Sequence, residues 1–248
     1  MSEQAVAPHP HPVVGQLAAL HHFRAYVDIG VVVVVLALTN LIAHFTTPWA
    51  SIATVPAAAV GLVILVRSRG LGWAELGLSR EHWKAGAGYA VAAVVVVLSV
   101  IAIGMLLPWT RPMFMNNNYA TVSGALIASM IIIPLQTVIP EELAFRGLLL
   151  PLLGRRHGLR AATLLSSALF GLWHVLASLG GGAANAAMAG VVGGDAAGTV
   201  ARVVVTVLFT SLAGVVLCWL RLRSDSLLAP MLAHWTVNGL GVIVALVA

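Results

Sequence analysis

Charged residues are scarce in this chain. Of its 248 residues only 8% are Asp, Glu, Lys or Arg, whereas 60% are hydrophobic, and the mean hydropathy is +1.00. Typical soluble domains carry about 25% charged residues, so this composition excludes an ordinary soluble domain. The sequence therefore predicts an integral membrane protein.

Cysteine and several protease motifs are also missing. The single cysteine, Cys218, excludes an intrachain disulfide and a cysteine-pair redox motif. The sequence contains no H-E-x-x-H, which excludes a zincin-type site, and no G-x-S-G, which leaves a serine and histidine dyad without support. Any reactive group must therefore be sought among the carboxylates and histidines.

Mostly apolar runs follow one another along the chain. They are long enough to cross a hydrocarbon core about 30 Å thick at about 1.5 Å per residue, although the second run is short. The expected fold is all-α, a polytopic transmembrane helical bundle with about seven spans. The predicted spans are 29–45, 51–66, 85–107, 122–148, 161–179, 202–220 and 227–247.

These runs divide the chain into three parts. Residues 1–28 contain His-Pro pairs and lack the pattern of a cleaved signal peptide, so we expect a disordered cytoplasmic tail. Residues 29–119 hold three N-terminal transmembrane helices, with an amphipathic connector at 67–84 that lies at the membrane interface. Residues 120–248 hold the remaining four transmembrane helices.

The basic residues predict how the bundle is oriented. If seven spans alternate, ten of the thirteen basic residues fall on the side of the N-terminus: Arg24, Arg67, Arg69, Arg80, Lys84, Arg155, Arg156, Arg160, Arg221 and Arg223. Only Arg111 and Arg202 fall on the other side, and Arg146 lies within a span. The positive-inside rule then predicts a cytoplasmic N-terminus and an outside C-terminus in the plasma (inner) membrane. The net charge of +5 thus indicates the lipid bilayer, and not nucleic acid, as the partner.

Two carboxylates, Glu141 and Glu142, lie within a predicted span. An ionisable group near the centre of a transmembrane helix costs about 2.5–3.5 kcal/mol, so a compensating partner is expected. Glu142 and Arg146 are four residues apart, with the acid first, which favours an ion pair. Glu141 points about 100° away on a helix with 3.6 residues per turn, so it has no local partner.

Two later segments offer polar side chains that can meet Glu141. His174 ends the sequence FGLWH in the fifth span, and HWTVN in the seventh span places His234 and Asn238 four residues apart. Their depths agree with that of Glu141, so we expect one cluster that opens toward the cytoplasm. Its members are Glu141, Glu142, Arg146, His174, His234 and Asn238.

These segments resemble a known family. EELAFR fits E-E-x-x-x-R, FGLWH fits F-x-x-x-H and HWTVN fits H-x-x-x-N, in the order seen in the CAAX-protease and bacteriocin-processing intramembrane proteases, also called the Abi or type II CAAX prenyl endopeptidase family. The resemblance covers residues 120–248, which would be the catalytic core. It implies an intramembrane endopeptidase that cleaves a peptide or protein substrate, prenylated or not.

The resemblance also implies a role for each residue. Glu141 would activate water with help from His174, whereas Glu142 and Arg146 would position that glutamate. His234 and Asn238 would stabilise the oxyanion. These roles suit peptide hydrolysis, which needs a base for water and donors aimed at the tetrahedral oxygen.

Alternatives remain at the level of sequence. A catalytic zinc held by Glu141, His174 and His234 is an acceptable ligand set. We favour a mechanism that requires no cofactor, because Asn238 is a natural oxyanion donor and a poor zinc ligand. A non-catalytic membrane protein of the same fold, such as a bacteriocin-immunity or interaction protein, and a proton-coupled transporter are the alternatives to a peptidase.

Overall fold

The computed structural model describes residues 12–111, 121–180 and 195–244. Over these residues the chain forms helices and turns and contains no strand, which confirms the expected all-α polytopic bundle. Four helical stretches are long and apolar enough to cross a membrane: Tyr26–Phe45, Arg80–Leu106, Val122–Leu179 and Ala196–Ser224. Two shorter apolar helices, Ile52–Ser68 and Leu228–Val244, accompany them.

The first helix, α1, covers Pro12–Phe45 and is longer than the first predicted span. Residues 12–28 are therefore helical and not disordered as expected, whereas residues 1–11 lie outside the described part of the chain. The sequence explains the helix. After Pro12, which suits the first position of a helix, no proline occurs before Pro48, and only Gly15 and Gly30 weaken helix formation.

The second helix, α2, covers Pro48–Ser68 and packs against α1. Thr47 has the extended conformation, φ −98° and ψ 153°, that a residue before proline prefers. Pro48 then occupies the first turn, where its missing N–H is not needed. The Thr47-Pro48 pair thus ends one helix and starts the next.

Residues 69–79, which belong to the predicted connector, form turns. Leu71 and Leu76 are fully buried in the main hydrophobic core, so this segment packs against the bundle. Gly77 has φ +75°, and a Cβ there would lie 2.5 Å from Nε of Arg221. Only glycine suits both the backbone conformation and this close approach.

The third helix, α3, covers Trp83–Leu106 and follows a 3₁₀ turn at Arg80–His82. Its only buried residues are Gly86 and Ala90 in the early turns. A Cβ on Gly86 would lie 2.6 Å from Oγ of Ser226, so α3 approaches the C-terminal helices closely at this end.

The chain from Val122 to Trp173 is helical without an intervening loop, but it is not uniformly α-helical. It contains α4 (Val122–Ile127), α5 (Ile139–Glu142) and π-helical segments at Ala128–Ile132, Pro134–Val138 and Leu143–Leu149. Pro134 and Pro140 lack a backbone N–H, so the regular hydrogen-bond ladder cannot continue through them and wider turns occur. Both glutamates lie in α5, directly before the longest π-helical segment.

The next helix, α6, covers Leu150–Trp173 and turns at Gly158, where φ is +76°. This turn replaces the loop expected between the fourth and fifth spans, so the fourth span extends to residue 157. The short helix α7, Val175–Gly180, follows after His174. The 58-residue stretch thus crosses the bundle twice.

The C-terminal part contains α8 (Ala196–Ser224), α9 (Leu228–Trp235), a π-helical segment at Thr236–Leu240 and α10 (Gly241–Val244). α8 packs on α6 through small residues. A Cβ on Gly171 would lie 2.0 Å from Oγ of Ser211, and one on Gly214 would lie 3.0 Å from Cα of Ser167. Glycine at these positions lets the two backbones approach each other closely.

Candidate active site

A buried ion pair forms the centre of the site. Nη1 of Arg146 lies 2.9 Å from Oε1 of Glu142, and both side chains are fully buried. The guanidinium also donates from Nη2 to the carbonyl of Gly214 at 3.3 Å and lies 4.1 Å from the ring centroid of Phe170. The pair expected from the sequence is therefore present, and α8 and α6 enclose the arginine.

His234 joins this pair to Asn238. Its Nδ1 lies 2.9 Å from Oε1 of Glu142, and its Nε2 lies 3.0 Å from Nδ2 of Asn238. A carboxylate only accepts hydrogen bonds, so Nδ1 carries the proton toward Glu142. In the neutral ring, Nε2 then accepts from the Asn238 amide. Arg146, Glu142, His234 and Asn238 form one continuous chain of polar contacts.

Glu141 has a different environment from Glu142. Its Oε1 accepts a hydrogen bond of 3.0 Å from Nε1 of Trp173, while its Oε2 has no hydrogen-bond partner among the described residues. Oε2 lies 4.0 Å from Nε2 of His234. The residue is 6% exposed, so one oxygen of a buried carboxylate is left without a hydrogen-bond partner among the described residues. Oε2 of Glu142 lacks one too, so the two glutamates differ in the partners of Oε1 and in the cavity that only Glu141 lines.

His174 lies where α6 ends. Its Nδ1 is 2.8 Å from the carbonyl of Phe170, and it donates there because a carbonyl accepts only. The other ring nitrogen, Nε2, is left for another partner, and the side chain is half-buried. No hydrogen bond or ion pair within the described residues joins His174 to Glu141, although both line the same cavity.

That cavity has a volume of about 410 Å³. Glu141, His174 and Asn238 line it, together with polar side chains that the sequence did not single out: Asn40, His44, Gln136, Thr137 and Thr210. A second, apolar cavity of about 280 Å³ shares His174, Thr210 and Asn238 with it. A polar cavity and an apolar cavity thus adjoin each other beside the candidate catalytic groups.

Some residues that line the polar cavity lie far from the basic loops. His44 near the end of α1 and Ala177 in α7 line the cavity, and both lie at the helix ends opposite the basic loops. The expected opening toward the cytoplasm stays a prediction. Side-chain packing decides which end is filled, and the end near the basic loops holds the main hydrophobic core.

Sequence reasoning missed the contacts that Trp173 and Asn40 make. Nδ2 of Asn40 donates to the backbone carbonyl of Trp173 at 2.9 Å, and the indole of Trp173 donates to Glu141. The sequence contained a signal for each of these two residues. A buried tryptophan N–H needs an acceptor, and Asn40 is one of few polar residues in the first span.

The proposed zinc ligands do not fit a metal site as they are placed. Across the described ranges, no group of three or more His, Cys, Asp or Glu side chains is arranged to hold a metal ion. Both ring nitrogens of His234 are already engaged, Nδ1 with Glu142 and Nε2 with the amide of Asn238. We therefore derive no step through a metal.

Comparison with known proteins agrees with this site. Residues 123–240 match the family model described as type II CAAX prenyl endopeptidase Rce1-like, and this segment contains all six expected site residues. No curated protein and no solved structure matches the chain. The matched family points to a protease embedded in a membrane. Through residues 123–240, the chain is similar to the CAAX-protease and bacteriocin-processing family.

Proposed function

We propose that the protein is an intramembrane endopeptidase in which Glu141 activates the attacking water. One observation carries this proposal. Oε2 of Glu141 is buried and lacks a protein hydrogen-bond partner at the wall of a cavity large enough for water and a peptide segment, while Trp173 holds Oε1. A carboxylate that is fixed by a hydrogen bond to one oxygen, and whose other oxygen is free, can take a proton from water.

The reaction begins when water donates a hydrogen bond to Oε2 of Glu141. As the water oxygen bonds to the carbonyl carbon of the substrate, Glu141 takes its proton and negative charge develops on the carbonyl oxygen. The tetrahedral intermediate then collapses, the carbon–nitrogen bond breaks, and Glu141 returns the proton to the leaving amine. Glu141 acts first as base and then as acid.

Asn238 is the donor that we assign to the oxyanion. One N–H of its amide points to His234, which leaves the second N–H for the substrate oxygen. A preorganised donor of this kind stabilises charge that develops in the transition state. His234 acts as a positioning residue, because Glu142 and Arg146 hold its ring from the far side.

His174 assists through Nε2. Its Nδ1 is engaged with the carbonyl of Phe170, which fixes the ring at the cavity wall. Nε2 of a neutral ring accepts a hydrogen bond from the water that Glu141 activates, so the two groups orient the nucleophile together. This cooperation needs no direct contact between His174 and Glu141.

The proposal extends to partners and orientation. No metal or other cofactor is required, and the substrate is a peptide or protein segment, prenylated or not. The bundle lies in the plasma membrane with the N-terminus in the cytoplasm and the C-terminus outside, as the ten basic residues on one side favour.

The test uses purified full-length protein in proteoliposomes with quenched fluorescent peptides, both prenylated at a cysteine and unmodified. Glu141→Gln keeps the shape of the side chain and is expected to abolish cleavage while the thermal unfolding midpoint stays unchanged. Glu81→Gln, an exposed carboxylate outside the site, is the matched control and should keep full activity. Cleavage by Glu141→Gln would overturn the assignment.

Two further measurements complete this test. Activity should survive removal of divalent metals by a chelator, and stoichiometric zinc in active protein would overturn the metal-independent mechanism. Substrates trapped on the Glu141→Gln variant are to be identified by mass spectrometry. If the wild-type chain cleaves neither the trapped peptides nor the synthetic ones, the non-catalytic alternatives are favoured.

A further inference from the structure

We infer that Thr210 binds the substrate backbone, by accepting a hydrogen bond from the N–H of the residue whose carbonyl is attacked. The inference rests on the proposed peptidase function and adds a substrate-binding residue to it. Thr210 lies in α8 and belongs to none of the three sequence motifs EELAFR, FGLWH and HWTVN. It positions the peptide and takes no part in proton transfer.

Thr210 lies where the polar and apolar cavities adjoin. Among the described residues, three line both cavities: His174, Thr210 and Asn238. His174 and Asn238 are the groups that we assign to the attacking water and to the oxyanion. Four other α8 residues line the apolar cavity alone, namely Phe209, Ala213, Val216 and Leu217. Thr210 is thus the polar group that α8 contributes at the boundary.

The hydroxyl of Thr210 is engaged as a donor but free as an acceptor. It donates to the backbone carbonyl of Thr206 at 2.7 Å, and its oxygen lies 3.4 Å from the carbonyl of Val207. A hydroxyl has one hydrogen and two lone pairs, so its oxygen can still accept. No donor among the described residues bonds to this oxygen. The residue is half-buried and borders both cavities, so a peptide bound there can supply the missing donor.

Asn238 and Thr210 together match the backbone of one residue in an extended peptide. The N–H and the C=O of such a residue point to the same side of the chain. Asn238 has a free N–H for the carbonyl oxygen, and Thr210 has a free lone pair for the N–H. A residue bound to both groups places its carbonyl carbon at the polar cavity, which Glu141 also lines.

The walls of the apolar cavity make this acceptor important. Apart from the three shared residues, the side chains that line it are apolar except for His234, whose two ring nitrogens are engaged with Glu142 and Asn238. A backbone N–H brought to this boundary loses its hydrogen bond to water, and burying it without a new partner costs free energy. Thr210 supplies the acceptor that the apolar walls lack.

Paired changes in the protein and in the peptide test this bond. The probes are peptides recovered from full-length Glu141→Gln by mass spectrometry, together with analogues in which one backbone N–H at a time is replaced by an ester oxygen. Thr210→Val removes the acceptor with little change in shape, whereas Thr210→Ser keeps it. Thr163→Val is the matched control. Its hydroxyl also donates to the carbonyl four residues earlier, that of Leu159 at 2.8 Å, but it lines neither cavity.

We expect Thr210→Val to raise KM about threefold to tenfold with kcat unchanged, because the bond is present both before and during the reaction. Thr210→Ser and Thr163→Val should keep the KM of the wild type. The ester analogue at the residue whose carbonyl is attacked should show the same loss with the wild type and no further loss with Thr210→Val. If Thr210→Val does not accumulate, Thr210→Ala takes its place.

Two results of this assay would overturn the inference and leave the peptidase in place. One is an equal KM for Thr210→Val and Thr163→Val while cleavage depends on Glu141. The other is an ester effect that is as large with Thr210→Val as with the wild type.

Peptide binding separates the inference from the proposed function. The affinity of fluorescently labelled peptides is measured for Glu141→Gln alone and combined with Thr210→Val. Weaker binding by the double variant supports the role of Thr210, and it does so even when the wild type cleaves none of the peptides, a result that overturns the peptidase alone. Equal affinities overturn the inference. If no peptide is recovered or bound, both proposals fail.

Discussion

The two ends of the bundle are built differently. Near the basic loops, apolar side chains from several helices pack into one core, and residues 69–79 are held against it by Arg221 and Arg155. At the other end, α1, α7 and α8 leave a cavity lined by polar groups. In lipid, the hydrophobic effect does not drive helices together, so nothing forces the helices to close around the cavity. The tight packing near the basic loops instead holds the helices in place around the site.

The same contrast separates the two adjacent glutamates. Glu142 faces the packed end, where Arg146 and His234 both bind one of its oxygens. Glu141 lines the cavity, and Trp173 is its one hydrogen-bond partner among the described residues. A one-residue step along α5 thus converts a structural carboxylate into a reactive one. Substitutions can test how far these two roles are independent.

The largest effect on stability is expected at the buried pair. Glu142→Ala leaves the guanidinium of Arg146 buried without its counter-charge, and breaking one partner of such a pair costs about 3–5 kcal/mol. We expect a large drop in the thermal unfolding midpoint of the protein in detergent. Glu141→Gln should leave the midpoint near that of the wild type, because Glu141 contributes one hydrogen bond to the fold.

A double variant sharpens this comparison. Glu142→Leu combined with Arg146→Met removes both charges, and apolar replacement of a whole buried pair is often neutral or stabilising. The double variant should therefore unfold later than Glu142→Ala but remain inactive, because His234 has lost the carboxylate that holds its Nδ1. Full activity in the double variant would show that the pair does not position His234.

Sequence reasoning identified the parts of the site that depend on local geometry. The Glu142 and Arg146 pair follows from a four-residue separation, and so does the contact between His234 and Asn238. Helix composition likewise predicted the polytopic bundle. These features depend on neighbours along one helix, which the sequence gives directly.

Features that depend on packing between helices escaped prediction. Trp173 reaches Glu141 because α6 ends at that residue and is rotated toward α5, which no single helix specifies. The turn at Gly158 and the helical start at Pro12 also differ from the expected boundaries.

The next largest effect, a fall in kcat, is expected on substitution of Trp173. Trp173→Phe keeps an aromatic ring but removes the N–H that holds Oε1 of Glu141. A hydrogen bond to a charged group contributes about 1.5–3 kcal/mol, so kcat should fall by roughly tenfold to a hundredfold. KM should change little, because the lost bond orients the base and does not bind the substrate.

Trp235→Phe is the matched control for this loss. Its indole also donates to an acceptor, the carbonyl of Ser129 at 2.9 Å, but not to Glu141. Both variants lose one indole hydrogen bond and should show similar unfolding midpoints. An equal loss of kcat in both would assign the effect of Trp173→Phe to packing and contradict its positioning role.

A smaller effect is expected in the first span, outside the segment that matches the family. Asn40→Ala removes the donor to the carbonyl of Trp173, a bond that contributes about 0.5–1.5 kcal/mol. We expect kcat to fall about threefold to tenfold with KM unchanged. The combination with Trp173→Phe should add little further loss, since both act through the orientation of Glu141. If the losses of kcat in the two single variants add fully in the double variant, Asn40 does not act through the orientation of Glu141.

The smallest effect is expected at the packed end, where Glu75 ties residues 69–79 to the bundle. The hydrogen bond from the Gly72 N–H, aided by Arg155, holds the pKa of Glu75 below its ordinary value of 4.5, although partial burial opposes this. A carboxyl with a depressed pKa contributes stability above its unfolded pKa and loses that contribution as the pH falls through its folded pKa. The side chain is 40% exposed, so solvent screens the pair and the contribution stays below about 1 kcal/mol.

Glu75→Gln should therefore lower the unfolding midpoint slightly near neutral pH and reduce the loss of stability in acid. Glu81→Gln, whose carboxyl is exposed and on the same side of the bundle, should keep the pH dependence of the wild type. The measurement is the unfolding midpoint in detergent from about pH 7 to about pH 3. If the acid-induced loss is the same in both variants, the anchoring of residues 69–79 rests on Arg221 and the backbone contacts, and the packed end does not depend on the Glu75 carboxylate.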